Sequence, residues 1–203
     1  EGKTLKAIDE MLKRMQLDYI DLLYVHQPVG DFVGAWKDME KAVKMGKVRA
    51  LGISNFDANE EVWNTIMKEA TIKPQVLQIE CHPYAQRLEM RKKAAKEGIQ
   101  VECWFPLGGA MSGGALFKAP VIKKIAEAHG KTPAQVILRW HIQEGFSVIP
   151  GASNPDYIKE NIQIFDFALT DEEMRLMRSL NKEKRFFNAT LEEVEKMIWS
   201  TKL

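Results

Sequence analysis

The chain has 203 residues, and its 29 Lys or Arg against 28 Asp or Glu give a formal net charge of +1. This near-neutral balance gives no basic field that would attract nucleic acid or an anionic membrane. No apolar run reaches the roughly 18 residues of a membrane-spanning helix, and the two cysteines, Cys81 and Cys103, are too few for a disulfide framework. We therefore expect a cytoplasmic protein that forms one domain over residues 1–203 and has small-molecule partners.

Helical and strand-like patterns alternate along the chain. Apolar residues at three- and four-residue spacing predict a first helix over residues 4–16. Strand-like apolar runs follow at 19–26, 48–54, 75–81, 99–106 and 146–150. Helical patterns occur at 32–46, 57–70, 86–97, 120–129 and 133–144, from about 155, and in an amphipathic tail at about 182–203.

This alternation predicts a parallel α/β fold, because a crossover helix returns the chain to the same end of a sheet. Two architectures are compatible with it, an open doubly wound sheet and a closed (β/α)8 barrel of the TIM type. The open sheet usually carries G-x-G-x-x-G after its first strand, and no such motif occurs here. The barrel is therefore favoured, and in either architecture the functional residues collect at the carboxyl ends of the strands.

Polar and aromatic residues end the predicted strands. In chain order they are His26, then Ser54 and Asn55, then Gln78 with Glu80 and His82, then Trp104 and Phe105. An acid/base group, two carboxamides and a flat aromatic surface in one ring of loops could hold and polarise a planar ligand. Each residue also has a structural interpretation, since a strand-end histidine can bond to backbone and a tryptophan is often core packing.

Metal binding is not predicted by the spacing of possible ligands. Cys81 and Cys103 lie on separate predicted strands without C-x-x-C spacing, and the four histidines are scattered. A glycine-rich loop at 107–117 could approach a phosphate closely, or could be a plain solvent loop.

Six segments together resemble the aldo-keto reductases in order and spacing. They are "LDYIDLLYVHQP", "GKVRALGISNF", "LQIECHPY", "WFPLGG", "KTPAQVILRW" and "VIPGASNPDYIKENIQIFDFALTDEEM". The resemblance implies a (β/α)8 barrel, of which this chain would supply about the last five strands and their helices. It also implies reduction of a small aldehyde or ketone to an alcohol by hydride transfer from NADPH or NADH, without a metal.

The resemblance also implies roles for individual residues. His26 is similar to the histidine that orients the substrate carbonyl, and Trp104 replaces the tyrosine that stacks on the nicotinamide ring. The remaining cofactor-binding positions are Ser54, Asn55 and Gln78 for the nicotinamide carboxamide, Phe105, Leu107 and Gly108 for the pyrophosphate, and Glu160 and Asn161 for the adenine.

The sequence departs from the family pattern where the 2′-phosphate of NADPH is usually bound. Gly151, Ala152 and Tyr157 stand in place of a lysine, a serine and an arginine. Each lost charge-assisted hydrogen bond removes roughly 1.5 to 3 kcal/mol, so we expect weakened 2′-phosphate binding or a shift toward NADH. Lys159 or Arg139 could compensate.

The catalytic Asp, Tyr and Lys of the family belong to strands that precede any motif found here. We expect the N-terminal part of the barrel to lie outside this sequence, and the 203-residue chain to be inactive alone and to self-associate through exposed barrel edges. A non-catalytic dinucleotide-binding or interaction protein of the same fold is the alternative. An aldolase is disfavoured, because no strand-end lysine is placed to form a Schiff base. Phe186, Phe187 and Trp199 in the tail are candidates for substrate contacts.

Overall fold

The computed structural model describes residues 2–200, in which helices and strands alternate. The strands are β1 (Ile20–Val25), β2 (Val48–Ser54), β3 (Val76–Glu80), β4 (Gln100–Trp104) and β5 (Ser147–Val148). The helices are α1 (Lys3–Met15), α2 (Phe32–Lys44), α3 (Glu60–Glu69), α4 (Leu88–Lys96), α5 (Pro120–His129), α6 (Pro133–Gln143), α7 (Pro155–Ile162), α8 (Asp171–Ser179) and α9 (Leu191–Ser200).

The described residues divide into two compact units. The first unit comprises residues 2–79, 94–100 and 189–200, and the second comprises residues 80–93 and 101–188. That residues 1–203 form a single domain stays a prediction.

Parallel pairing organises the strands of the first unit, in the order β1-β2-β3. Val25 pairs with Ile53, and Ser54 pairs with Gln78. The carboxyl ends of neighbouring parallel strands share one edge of a sheet. Ser54, which ends β2, and Gln78 of β3 are therefore neighbours.

Helix α2 packs against β1 and β2 of the first unit and buries Trp36 completely. The helix begins where Asp31 caps it, its carboxylate accepting from the N–H of Gly34 at 2.8 Å. The buried Glu40 carboxylate accepts from the Trp36 indole at 3.1 Å and from the N–H of Ile72 at 2.8 Å. These bonds join α2 to the loop that precedes β3.

The second unit contains β4 and β5, which are parallel, with Cys103 paired to Val148. Its main apolar core lies among α5, α6 and α8 and includes Ile122, Ile137, Trp140 and Met177. Helix α6 begins with a capping box, in which Thr132 and Gln135 exchange side-chain and backbone hydrogen bonds. This cap fixes the first turn of α6 beside the pocket described below.

Three predicted boundaries change in the structure. The helix predicted over 57–70 begins at Glu60, because Asn59 caps it by accepting from the N–H of Val62 at 2.9 Å. The strand predicted over 146–150 is the two-residue β5. In the tail, α9 begins only at Leu191, and residues 201–203 of the predicted helix lie outside the described residues.

One helix, α8, was not predicted from the sequence. Its signal is the capping box of Thr170 and Glu173, ahead of the buried Met174 and Met177. Among residues 2–200, no helix combines the length and apolar character needed to cross a membrane.

Candidate functional site

Ser54, Asn55 and Gln78 form a hydrogen-bonded group, which we call the carboxamide cluster, at the carboxyl end of β2 and in the middle of β3. The Ser54 hydroxyl donates to the Gln78 side-chain oxygen at 3.4 Å, and the Asn55 amide donates to the Ser54 hydroxyl at 3.3 Å. The backbone N–H of Asn55 donates to the Gln78 carbonyl at 2.9 Å. Asn55 has a φ of 61°, a left-handed conformation that asparagine tolerates better than most residues. The three predicted residues therefore lie together.

His26 is exposed and directly follows β1. Because Val25 pairs with Ile53, His26 is level in the register with Ser54. The ring of Tyr24, two residues earlier, packs on Gly52, where an added Cβ would lie 2.5 Å from the Tyr24 ring. The imidazole is thus at the strand end, as predicted.

An aromatic group surrounds Trp104, the last residue of β4. Its indole meets the Phe105 ring at 4.6 Å between centroids and the Phe187 ring at 5.6 Å, both edge to face. Phe105 adopts a left-handed φ of 51°. Two edge contacts fix the orientation of the indole, so the flat Trp104 ring is held in place within the second unit.

A pocket of about 770 Å³ in the second unit collects most of the remaining predicted positions. This volume is typical of small-molecule sites. Its lining is Leu107, Gly109, Ala110, Phe117, Thr132, Pro133, Ala134, Gly151, Ala152, Ser153, Asn154, Tyr157, Glu160 and Asn161. Among these described lining residues there is one carboxylate and neither Lys nor Arg.

Gly109, which lines this pocket, and its neighbour Gly108 both have positive φ angles. Gly108 has a φ of +82°, and a Cβ there would lie 2.9 Å from the Cβ of Ser112 and 3.1 Å from the Phe186 ring. At Gly109, with a φ of +55°, a Cβ would lie 2.9 Å from the Phe105 ring. Both the backbone conformation and the space therefore require glycine.

Glu160, which lines the pocket, is held by hydrogen bonds. Its carboxylate accepts a short hydrogen bond from the Thr132 hydroxyl, and its backbone carbonyl accepts from the Gln135 amide at 3.3 Å. Arg139, a suggested compensating cation, donates instead to the Ile164 carbonyl at 3.2 Å and to Gln143 at 3.1 Å. Arg139 thus holds the chain that follows α7.

The buried Glu80 carboxylate, for which the sequence predicted no role, organises residues 185–187. Glu80 is fully buried and accepts from the N–H of Phe186 at 2.6 Å, the N–H of Phe187 at 3.2 Å and the Arg185 guanidinium at 3.1 Å. His82 Nε2 lies 3.1 Å from the same carboxylate, and its ring stacks on Phe186 at 4.6 Å. We call these five residues the Glu80 anchor.

Opposing effects set the pKa of Glu80. Burial alone would raise the pKa of this carboxyl, but the hydrogen bonds from His82, Phe186 and Arg185 outweigh burial and lower it. Glu80 is therefore charged at neutral pH. An acidic residue inside an apolar strand signals a buried partner, but the sequence does not say that the partner is more than 100 residues away.

A second buried group, Cys81, Cys103 and His141, also emerges only from the structure. The two Sγ atoms and a ring nitrogen of His141 all lie within 4.8 Å of one another, and all three residues have no exposed surface. The hydrogen bond with Cys103 lowers the pKa of the Cys81 thiol, whereas burial raises that of Cys103. We call these residues the thiol–imidazole cluster. The sequence could not group them, because their spacing matches no ligand motif.

Comparison with known proteins identifies the family. The aldo/keto reductase family model matches residues 1–182. The chain belongs to the aldo/keto reductase family. It is 43% identical over 183 residues to glyoxal reductase of Bacillus subtilis, a match that covers 90% of this chain, and 40% identical to morphine 6-dehydrogenase of Pseudomonas putida over 88% of it.

Solved structures agree with this family assignment. An aldo-keto reductase from a Medee basin deep-sea metagenome library superposes with a TM-score of 0.86 at 35% identity, over 92% of this chain and 69% of that one. The Bombyx mori aldo-keto reductase in complex with NADP gives a TM-score of 0.79 at 29% identity, over 91% and 65%. The predicted (β/α)8 barrel class is thereby confirmed. The chain spans 64% of the length of each of the two curated relatives named above.

Proposed function

We propose that this aldo/keto reductase reduces aldehydes or ketones to alcohols by hydride transfer from a nicotinamide dinucleotide. The pocket of the second unit carries the proposal. Six of its lining residues occupy positions that the family resemblance assigns to the pyrophosphate, the adenine or the 2′-phosphate: Leu107, Gly151, Ala152, Tyr157, Glu160 and Asn161. Family membership and the NADP complex of the Bombyx mori relative support the same cofactor class.

The residues present fit such a cofactor. Apolar side chains, Leu107, Phe117 and Pro133, offer contact to a planar base, and the held Glu160 carboxylate can accept hydrogen bonds from an amino group or a ribose hydroxyl. The glycine loop is proposed to lie beside the pyrophosphate, since Leu107 and Gly109 both line the pocket. These features favour an adenosine diphosphate moiety over a purely apolar ligand.

A bound reduced nicotinamide supplies the hydride. The carboxamide cluster is proposed to hold its carboxamide group through neutral hydrogen bonds, and Trp104 to lie against its ring. His26 is proposed to orient the carbonyl oxygen and to stabilise the negative charge that develops there. Fixing these groups in place lowers the reorganisation needed in the transition state.

The proton that completes the alcohol needs a separate donor. Each tyrosine of the described residues has other surroundings. Tyr19 lies beneath Arg49, Tyr24 packs on Gly52, Tyr84 lies beneath Lys182 and Tyr157 lines the pocket. We therefore propose that the 203-residue chain binds the dinucleotide but does not turn over a carbonyl by itself. The same observation favours the second candidate function, a non-catalytic dinucleotide-binding protein of this fold.

Direct titration tests cofactor binding and selectivity together. We expect the quenching of intrinsic fluorescence by NADH and NADPH to give comparable Kd values or a tighter Kd for NADH, because no cation lines the described pocket. Tyr157→Arg should strengthen NADPH binding about 10-fold to 100-fold by adding a charge-assisted hydrogen bond. Ile158→Arg is the matched control, since Ile158 is exposed on the same helix but does not line the pocket.

Each outcome of this titration has a separate meaning. Failure of both dinucleotides to bind would contradict the proposed function. A preference of the unchanged chain for NADPH of about a hundredfold, or 2.7 kcal/mol, would contradict only the selectivity. Oxidation of NADH on addition of a small aldehyde would contradict the inactivity of the chain.

The carbonyl substrate is proposed to be small. Gln27, which follows His26 and is half-buried, is proposed to give the substrate site a polar wall rather than an aromatic one.

The chain is also proposed to self-associate through its strand edges. Sedimentation velocity at several protein concentrations measures the self-association, and a monomer at all of them would contradict it.

A further inference from the structure

The thiol–imidazole cluster has the composition and the burial of a structural metal site. Cys81 directly follows β3, Cys103 lies in β4 and His141 lies in α6, so three separate elements of the second unit supply one group each. Their ligand atoms lie within 4.8 Å of one another. Two thiolates and one imidazole are the donor types that thiophilic d¹⁰ cations such as Zn²⁺ prefer.

The distances allow a common ion with little movement. A tetrahedral zinc ion lies about 2.3 Å from each sulfur ligand, so two sulfur ligands of one ion are about 3.8 Å apart. The ligand atoms here lie within 4.8 Å of one another, so they need to approach by at most about 1 Å. Small side-chain rotations would therefore bring the two sulfurs and the ring nitrogen onto one centre.

Each ring nitrogen of His141 lies beside a backbone carbonyl. Its Nδ1 lies 2.8 Å from the Ile137 carbonyl and its Nε2 lies 3.1 Å from the Cys81 carbonyl. A neutral imidazole has a single N–H, so it can donate to only one of these acceptors. The other nitrogen then turns its lone pair toward an oxygen, inside a buried corner that also contains two sulfurs.

A metal ion on Nε2 resolves this conflict. The Nδ1–H then donates to the Ile137 carbonyl, which is the outer hydrogen bond that metal-binding histidines usually make. The Cys81 carbonyl, 3.1 Å from Nε2, changes from an unfavourable neighbour into an additional oxygen donor in the same corner.

We propose that Cys81, Cys103 and His141 bind one thiophilic divalent cation of the zinc class as a structural site. Binding forms two metal–sulfur bonds and one metal–nitrogen bond, and the two thiol protons pass to solvent. The site is structural because all three residues are fully buried, which leaves no position open to a substrate. It joins β4 and α6 to the segment that follows β3, and it does not depend on the proposed reductase function.

Cadmium is the probe for this site, because thiolate-to-cadmium charge transfer gives an ultraviolet absorption band. The chain contains two cysteines, so any such band must come from Cys81 and Cys103. Titration of the reduced, metal-free 203-residue chain should give a band that saturates at one equivalent. Cys103→Ser should remove about half of the band, and His141→Gln should weaken binding at least about 10-fold.

A matched histidine substitution separates specific from adventitious binding. His129→Gln removes a half-buried histidine that is bonded to Glu173 and lies outside the cluster, so it should leave the cadmium affinity unchanged. Equal affinity in the His141→Gln and His129→Gln variants would show that the thiols alone bind the metal and would overturn the proposal. So would a band that appears only after unfolding in urea.

Native mass spectrometry keeps the proposal testable if a variant does not fold, as judged by far-ultraviolet circular dichroism. The unchanged chain incubated with Zn²⁺ should gain the mass of one zinc ion and lose it to a chelator. Thermal unfolding should also move to higher temperature with zinc. A folded, reduced chain that gains no zinc would overturn the proposal.

Discussion

The carboxamide cluster and the Glu80 anchor both use β3, yet they hold their groups in opposite ways. In the cluster, the side-chain bonds among Ser54, Asn55 and Gln78 are neutral and measure 3.3 to 3.4 Å. In the anchor, a buried charge accepts from two backbone N–H groups and a guanidinium at 2.6 to 3.2 Å. Long neutral bonds exchange easily for a ligand, whereas short charged ones fix structure.

Polar groups with replaceable neutral partners are suited to ligand binding, whereas a buried charge with fixed partners is suited to stability. Gln78 is half-buried in the middle of β3, level with the end of β2, where a ligand amide can replace its present partner. Glu80 is fully buried, and removing any partner would leave part of a charge unsatisfied. Substitutions at the two positions should therefore affect different measurements.

Glu80→Ala should have the largest effect on stability. Loss of the carboxylate leaves the Arg185 guanidinium and the N–H groups of Phe186 and Phe187 without their acceptor, and breaking a buried pair in this way costs about 3 to 5 kcal/mol. Urea unfolding of the chain measures this loss. Glu89→Ala, which removes an exposed partner of Lys92 at 2.8 Å, is the control and should leave the free energy of unfolding nearly unchanged, because solvent screens this pair. Similar losses in both variants would contradict the distinction.

Much of the first unit could be predicted from its sequence, because local patterns decide it. The positions of Ser54 at the end of β2 and of Gln78 within β3 follow from apolar runs, and parallel pairing of consecutive strands makes them neighbours. The start of α3 at Glu60 was displaced from the prediction by the Asn59 cap. That error is local and small.

The tail and the buried groups could not be predicted, for a physical reason. The contact of Glu80 with Phe186 and Phe187 joins residues 106 and 107 positions apart, and no periodicity encodes such a pairing. The convergence of Cys81, Cys103 and His141 depends on which way each side chain faces after its element is packed. Neither a strand pattern nor a helix pattern determines this direction across elements.

Acid should destabilise the Glu80 anchor. Because the folded pKa of Glu80 is lowered below its ordinary value of 4.5, its contribution to stability is fully present above pH 4.5 and is lost as the pH falls through the folded pKa. The free energy of unfolding should therefore decline more steeply below pH 4.5 in the unchanged chain than in Glu80→Gln, by at most about 1.4 kcal/mol per pH unit.

The measurement is urea unfolding at a series of pH values from neutral to acid. Glu97→Gln is the control, because Glu97 is exposed and this variant should show the acid dependence of the unchanged chain. Parallel profiles for the unchanged chain and Glu80→Gln would mean that the carboxylate is not preferentially stabilised in the folded state.

The smallest effect, and the sharpest test of the contrast, comes from two glutamines of the first unit. Gln78→Leu should change stability little but weaken NADH binding about tenfold, or 1.4 kcal/mol, because the polar contact proposed for the nicotinamide carboxamide would be lost. Gln75→Leu should do the reverse, since the Gln75 side chain accepts from the N–H of Leu51 at 2.7 Å and its loss costs about 1 kcal/mol. For each variant, urea unfolding gives the free energy of unfolding and NADH titration gives the Kd. If Gln78→Leu lost stability and kept its affinity for NADH, the carboxamide cluster would be a structural feature like the Glu80 anchor, because its bonds would already be committed to the fold.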